Sequence, residues 1–471
     1  MISIKRSSFL FGLLTLLCLY LYNVSDIPKI RTDDGFFYDG AYRLMTDGML
    51  RVPSLNNGHF QDVRYHGHPP LYFMILGGWF TLFGSTVLSA RLCSTFLAIL
   101  TVFIFFKLMK QLGFYNKWTC AFVALVTVST PLFYIMSRTL RPEIGMTLGI
   151  LMSIWLYHQW LQKPTNRLVF ISGICLGLTS LVHYYVIFIG LLWGGSLLYK
   201  RQFKSLVIFG CGIGLVYGPY CLWLIQNWSV FYLQFQSRFP DISVPLFYKI
   251  KQIVLVNFSV KSLSISMPLW LGLVLLYWNK QYVKTAWLFV IVSLYYLQFL
   301  ILPIVTPLHM LPLGMLAYLP YLYLLSSSQL YQLRYIYGVL IVCFVINILG
   351  ILYIIQTNSH HNYSLFSSKI QSEIPQKNVA IMGPLYMTIA FKDYDEFVSW
   401  ESYDNGFISF INNAEDTLIK RLDSMDYALV DDGYVTLHPK VQTFLNTRSL
   451  SHRRIYDGDH GYYPVTLWTL R

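Results

Sequence analysis

Carboxylates are almost missing from the middle of this 471-residue chain. Of its 22 acidic residues, six lie between Asp26 and Asp62 and fourteen from Glu373 onward, which leaves only Glu143 and Asp241 for everything between. Charged residues of both signs make up 12% of the chain, against about 25% in soluble domains, and this deficit excludes an ordinary soluble fold. Cysteine is missing from both acid-rich regions. The seven cysteines (Cys18, Cys93, Cys120, Cys175, Cys211, Cys221, Cys343) all fall in apolar runs, with no CxxC or Cys/His metal spacing. A disulfide framework and a structural zinc site are therefore excluded, and these cysteines read as small apolar packing residues. There is no internal repeat, no low-complexity tract, and no Gly-rich nucleotide loop in a strand-to-helix setting.

What is abundant is apolar surface: 55% of residues are hydrophobic and the mean hydropathy is +0.50. Aromatics reach 17%, with 36 Tyr, as expected where amphipathic rings sit at lipid interfaces. A membrane span needs about 20 apolar residues. Phe9 to Val24 follows Lys5 and Arg6 as a signal peptide would, but lacks a small-x-small cleavage site and is read as the first span. Further spans are Val87–Phe106, Trp118–Met136, Glu143–Leu161, a run from Leu168 to Tyr199 broken near His183, Ser205–Ile225, Ser262–Trp278, Thr285–Leu302, Thr306–Leu325 and Tyr335–Ile355. The expectation is an all-α polytopic membrane protein of about eleven transmembrane helices. Pro69–Phe83 is short enough to lie in the interface instead. The membrane domain covers residues 1–359, with a first outer loop at 26–86. Residues 360–471 form a small α/β domain: Lys377–Gly383 and Tyr427–Val430 read as strands and Glu415–Ser424 as a helix.

The net charge of +13 is explained by topology, and nucleic acid is not needed. With eleven spans, one side receives Lys5 and Arg6, then Lys107, Lys110 and Lys117, then Lys163 and Arg167, then Lys200, Arg201 and Lys204, then Lys280 and Lys284, then Arg334, and no acid. By the positive-inside rule that side is the cytoplasm. Every acid then falls on the outer face, with the first loop, the Arg138–Glu143 loop, the turn at His183, the loop from Gln226 to Lys261 and the tail. The expected location is the cell (inner) membrane, with the N-terminus cytoplasmic and the C-terminal domain outside.

Candidate chemistry follows that sorting. Asp33 and Asp34 are adjacent carboxylates just after the first span, and read either as a helix N-cap pair or as catalytic groups. Arg64-Tyr-His66-Gly-His68-Pro69-Pro70-Leu71-Tyr72 places two histidines and an arginine before a helix start. Arg138, Arg141 and Glu143 sit between two spans, as a plain ion pair or as a functional group at membrane depth. His183 and His309 lie near outer span ends, as structural histidines or as partners of Arg138, Arg141 and His68 in a cationic pocket suited to phosphate.

These residues, in this order, resemble the C-type glycosyltransferase superfamily, in particular the dolichyl-phosphate-mannose protein mannosyltransferases and the bacterial aminoarabinose transferase that modifies lipid A. The pattern is Asp33-Asp34 after the first span, Met45 to Gly48, His68 to Tyr72, Leu82 to Gly84, Ala90 to Leu92, and Arg138, Arg141 and Glu143. It holds over residues 25–200. The resemblance implies that Asp33 contacts the acceptor nucleophile and acts as base, with Asp34 as its alternate, and that Glu143 shapes the site. It also implies that His68 and His183 stand where the aminoarabinose transferase has lysines, a departure that puts that enzyme's particular substrate in doubt. The function so implied is transfer of a sugar from a polyprenyl-phosphate donor to a hydroxyl on a lipid, glycan or protein acceptor at the outer face, with inversion. No cofactor is required on this reading. A divalent metal near Asp33, His66 and His68 is the weaker possibility, and membrane lipids are the remaining partners. The rival readings are a lipid or oligosaccharide transporter, which predicts ionisable residues near mid-membrane and paired halves, an O-antigen ligase or polymerase, which places its main loop late in the chain, and a non-catalytic receptor, which tolerates loss of Asp33.

Overall fold

The computed structural model describes residues 6–55, 61–114, 116–238, 245–281, 288–293, 295–297, 307–327, 330–400, 414–432, 439–458 and 461–471. Half of the expected span Thr285–Leu302 and the acid Asp241 lie outside them. The first helix, α1 (Arg6–Leu21), is followed by a partly buried polar helix, α2 (Thr32–Asp47), and a 13-residue apolar helix, α3 (Leu71–Phe83). The body continues with α4 (Val87–Gln111), α5 (Lys117–Val128), α6 (Pro131–Met136), α7 (Glu143–Gln162), α8 (Asn166–Ser180), α9 (Ile187–Tyr199) and α10 (Phe203–Gln226). Then come α11 (Trp228–Arg238), α12 (Leu246–Asn257), α13 (Val260–Trp278), α14 (Leu311–Leu316), α15 (Leu319–Ser327) and α16 (Leu330–Asn358).

Among the described residues four helical stretches are long and apolar enough to cross a membrane, or five if the bent pair Leu246–Asn257 and Ser262–Trp278 is one span. Others fall short of the ~20 residues a span needs, because the chain breaks them. Trp118–Met136, expected as one span, is two helices: Pro131 has no N–H to continue α5 and starts α6 at its first turn instead. The Leu168–Tyr199 run breaks as expected, with His183 in the turn between α8 and α9.

Close helix contact is set by small residues. A Cβ at Gly173 on α8 would lie 2.3 Å from the Phe209 carbonyl oxygen on α10, and one at Gly212 on α10 would lie 2.4 Å from the Phe170 oxygen. The two backbones are therefore nearly in contact, and larger side chains cannot be fitted between them.

After α17 (Tyr363–Glu373) the tail forms a five-stranded sheet. Its strands are β1 (Ala380–Gly383), β2 (Glu396–Ser399), β3 (Tyr427–Asp431), β4 (Ser451–Tyr456) and β5 (Val465–Thr469), in the order β2-β1-β3-β5-β4. The first three are mutually parallel; β5 runs antiparallel to both β3 and β4. Alternation along the strands gives the sheet two buried faces. Met382, Val398, Ala428 and Val430 pack with α18 (Ala414–Leu422) and α19 (Pro439–Arg448), while Ile381, Phe397 and Leu429 belong to the core shared with the membrane body.

The tail lies directly on α2. A Cβ at Gly35 would meet the Leu385 carbonyl oxygen at 2.2 Å. The Tyr42 hydroxyl donates to Asp393 at 2.7 Å, and Lys392 Nζ donates to Ser85 Oγ at 2.8 Å. At the junction, Asp26 accepts the Tyr363 N–H at 2.8 Å, and Lys29 Nζ donates to the Gly461 carbonyl at 3.1 Å.

Candidate active site

The chain leaves α1 with carbonyls that have no donor in their own helix. Two buried arginines supply donors. Arg138 gives Nη2 to the Tyr22 carbonyl at 2.6 Å and Nη1 to Leu19 at 3.5 Å, and it also bonds the Tyr134 hydroxyl. Arg91 gives Nη1 to the Val24 carbonyl at 3.0 Å and Nη2 to Pro28. Arg138, expected among phosphate-binding residues, is thus turned toward the end of α1 and is not brought to the other site residues.

The adjacent aspartates separate. Asp34 is buried, and both its oxygens accept backbone N–H groups: Leu140 at 2.7 Å and Arg31, at the start of its own helix, at 2.9 Å. Burial pushes its carboxyl above the usual carboxylate range, opposed by the Arg91 charge and these two donors. A carboxylate held in this way ties α2 to the Arg138–Glu143 loop and has no open approach for an acceptor, which corrects its expected role as alternate base. Asp33, one residue earlier on the helix, keeps half of its side chain (50%) exposed.

Arg141 joins Asp33 to Glu143. Its Nη1 bonds Asp33, while Nη2 and Nε bond Glu143 Oε1 at 2.8 and 3.1 Å. Burial works against the Arg141 charge, but Glu143 and Asp33 outweigh it and hold this guanidinium above its ordinary value. The arginine expected to bind phosphate is therefore already engaged by two carboxylates. Glu143 opens α7 with only 1% of its side chain exposed, and His309 Nε2 lies 4.0 Å from its Oε1.

From Glu143 the cluster continues through imidazoles. His309 lies in the short turn Pro307–Met310, its ring 5.7 Å from that of His183. Tyr185 packs 4.5 Å from each. The Tyr185 N–H donates to His183 Nδ1 at 3.3 Å, so the neutral ring carries its proton on Nε2. His68 follows at 6.2 Å from His183, seated between Phe36 and Phe37 of α2 at 5.7 and 5.3 Å. Asp33, Arg141, Glu143, His309, His183 and His68, from five separate segments, thus form one row.

His66 does not join it. Its ring packs 4.2 Å from Trp223, and its N–H donates to Gln234 Oε1 at 2.6 Å. Burial, with the nearby Arg64 charge, pushes its pKa down to about 4. Among the described residues no three His, Cys, Asp or Glu side chains are grouped as metal ligands, so Asp33, His66 and His68 are not assembled as one metal site. Tyr185 and Arg91 were the residues without an assigned role in the sequence. Arg91 sits inside the Ala90–Leu92 motif, and an arginine within an apolar helix is itself a signal. Nothing local marks Tyr185.

A family model described as dolichyl-phosphate-mannose-protein mannosyltransferase matches residues 67–223. An uncharacterized protein of Aquifex aeolicus (strain VF5) is 23% identical over 173 residues, 37% of this chain and 34% of that protein; the match spans about a third of that relative's length. Among solved structures, ArnT from Cupriavidus metallidurans bound to undecaprenyl phosphate superposes with a TM-score of 0.66 at 11% identity, covering 99% of this chain and 98% of that one. The Archaeoglobus fulgidus oligosaccharyltransferase in complex with Zn and sulfate gives a TM-score of 0.56 at 10% identity, covering 90% and 67%. These likenesses show that the chain shares its fold with ArnT and with the oligosaccharyltransferase.

Proposed function

We propose that this protein, whose fold is that of the C-type glycosyltransferases, moves a sugar from a polyprenyl-phosphate donor to an acceptor hydroxyl at the outer face of the membrane. The observation that carries the reading is the Asp33–Arg141–Glu143–His309–His183–His68 row, gathered from five separate segments. The undecaprenyl phosphate bound by the similar ArnT fold supports a lipid-linked donor here.

The geometry suits displacement at an anomeric carbon. Asp33, half exposed, accepts the proton of the incoming hydroxyl as its oxygen bonds the sugar carbon. The C–O bond to phosphate breaks, and the negative charge leaves on the phosphate oxygens. His183 Nε2–H and His68, with His309 behind them, face that departing charge as donors. Arg141 and Glu143 fix the position of Asp33, and the buried Glu143 holds Arg141 in its bridging orientation. One displacement inverts the anomeric centre, and a product of retained configuration would count against this step.

The test is sugar transfer in proteoliposomes loaded with labelled polyprenyl-phosphate sugars. The native chain is expected to transfer label, and Asp33→Asn to lose on the order of 10²–10⁴-fold in rate at equal expression. Transfer that survives Asp33→Asn at native rate removes Asp33 as base.

A further inference from the structure

At the end of the helices opposite the Asp33–His68 row lies a polar cavity, open and of about 460 Å³. It is built where α4 and α7 both terminate. Lys107 and Lys110 come from the last turn and a half of α4, and Lys163 caps α7. Gln159 and Gln162 line it from α7, and Gln111 from the last residue of α4.

Three properties set this cavity apart from a generally basic surface. Among the described residues these lysines have no carboxylate to meet: between Asp62 and Glu373 the chain has only Glu143 and Asp241, and the described one of the two, Glu143, is at the other end of α7. The two helix C-termini offset only roughly half a charge each, against three full positive charges. The lysines are also held in place. Lys107 Nζ lies 5.2 Å from the Phe103 ring and Lys110 Nζ 4.9 Å from Phe106, so both stems run back along the helix toward the lipid. Finally, both amide atoms of Gln111 are shielded from solvent without a hydrogen-bond partner, while Gln162 Nε2 beside it donates to the Gln111 carbonyl at 3.3 Å. An amide in that state lacks a group that both donates and accepts.

We propose that this cavity binds the phosphate-bearing head group of an anionic phospholipid from the leaflet on the basic side of the membrane. The lysines meet the phosphate diester, the glutamines meet glycerol hydroxyls and ester oxygens, and the acyl chains leave past Trp155 and Leu168 into the bilayer. Basic pockets between helices on that side recognise such head groups. This inference does not depend on the catalytic reading, because it concerns the opposite end of the helices and needs no transfer activity.

The experiment uses the full-length chain, purified and stripped of lipid. Its thermal midpoint and its bound lipid by native mass spectrometry are followed against phosphatidylglycerol, phosphatidylcholine, glycerol 3-phosphate and inorganic phosphate. Phosphatidylglycerol is expected to bind and to raise the midpoint, while phosphatidylcholine does neither. The triple variant Lys107→Gln/Lys110→Gln/Lys163→Gln is expected to bind on the order of a hundredfold more weakly. Lys200→Gln/Arg201→Gln/Lys204→Gln, equal in charge change but outside the cavity, is expected to bind as the native chain does. Gln111→Leu provides a variant that does not threaten folding: it should melt higher than the native chain without lipid and gain less on adding phosphatidylglycerol. Equal loss in both triple variants would reduce the effect to general charge and overturn the site. Equal stabilisation by glycerol 3-phosphate or inorganic phosphate would overturn the lipid as its source.

Discussion

Arg141 lies between two carboxylates of unequal exposure, and the inequality assigns their work. Glu143, almost wholly enclosed, cannot be reached by an acceptor, yet it takes three of the arginine's hydrogen-bond distances within 3.2 Å. Asp33 is the member of the trio open to solvent. Arg141→Gln would leave Glu143 buried without its counter-charge, at an expected cost of about 3–5 kcal/mol. Adding Glu143→Gln should recover most of that stability without recovering transfer, since Asp33 remains unpositioned. Thermal midpoints in detergent, set beside transfer rates, check both halves. A double variant no more stable than the single would mean that the ion bridge is not what matters there. The sequence placed Asp33 and Asp34 side by side and left both readings open for each. The structure divides them, because adjacent residues on a helix point about 100° apart: Asp34 faces the protein and binds Leu140 and Arg31, and Asp33 faces outward.

The element that decides the site is α2. It carries Asp33, Asp34 and the Phe36–Phe37 seat of His68, and its first turn is clamped under the tail at Gly35. The Leu385 carbonyl oxygen there is backbone, and cannot rotate away from an added methyl. Gly35→Ala is therefore expected to lower stability by about 1–3 kcal/mol and to lower transfer by displacing Asp33. Gly78→Ala on α3, where an added Cβ meets nothing within 4 Å, should leave both unchanged. Thermal melts and transfer assays on the pair provide the check; identical behaviour of the two would mean that the tail does not press on α2. The membrane helices were readable from apolar runs of about span length, and the break at His183 from the excessive length of its run. The break at Pro131 was also in the sequence, but a short Thr130–Pro131 interruption does not alter a hydropathy average, so the run passed for one span. The approach of α8 to α10 at Gly173 and Gly212 was carried by small residues that hydropathy does not register.

Across the whole molecule, the tail and the membrane body share one core and meet at His361, between α16 and α17. Burial, with the neighbouring Lys29 charge, pushes His361 down to about 4 from 6.5. Above pH 6.5 the ring is neutral in both folded and unfolded chains. Between pH 6.5 and about 4 the unfolded chain takes up a proton that the folded one refuses, so stability is lost as pH falls through that window. The thermal midpoint and the resistance of the tail to proteolysis are expected to decline from pH 7 to pH 5, and His361→Gln should flatten that decline. An unchanged slope in His361→Gln would place the pH sensitivity elsewhere, with His66 the next group shifted in the same direction. At this scale the sequence determined the class of protein and the sorting of its charges. Carboxylates and basic loops are expensive to move across a bilayer, so their order along the chain dictates which end of the helices they occupy. It also determined the residue types of the candidate site. Only the tertiary structure decided which of those residues meet: Asp33, Glu143, His183, His309 and His68 come together through helix packing between segments up to hundreds of residues apart, whereas Arg138, Asp34 and His66 are drawn away by unpaired carbonyls, N–H groups and an aromatic neighbour. Those competing partners are invisible in one dimension, because a backbone group's need for a hydrogen bond arises only once burial has removed water from it.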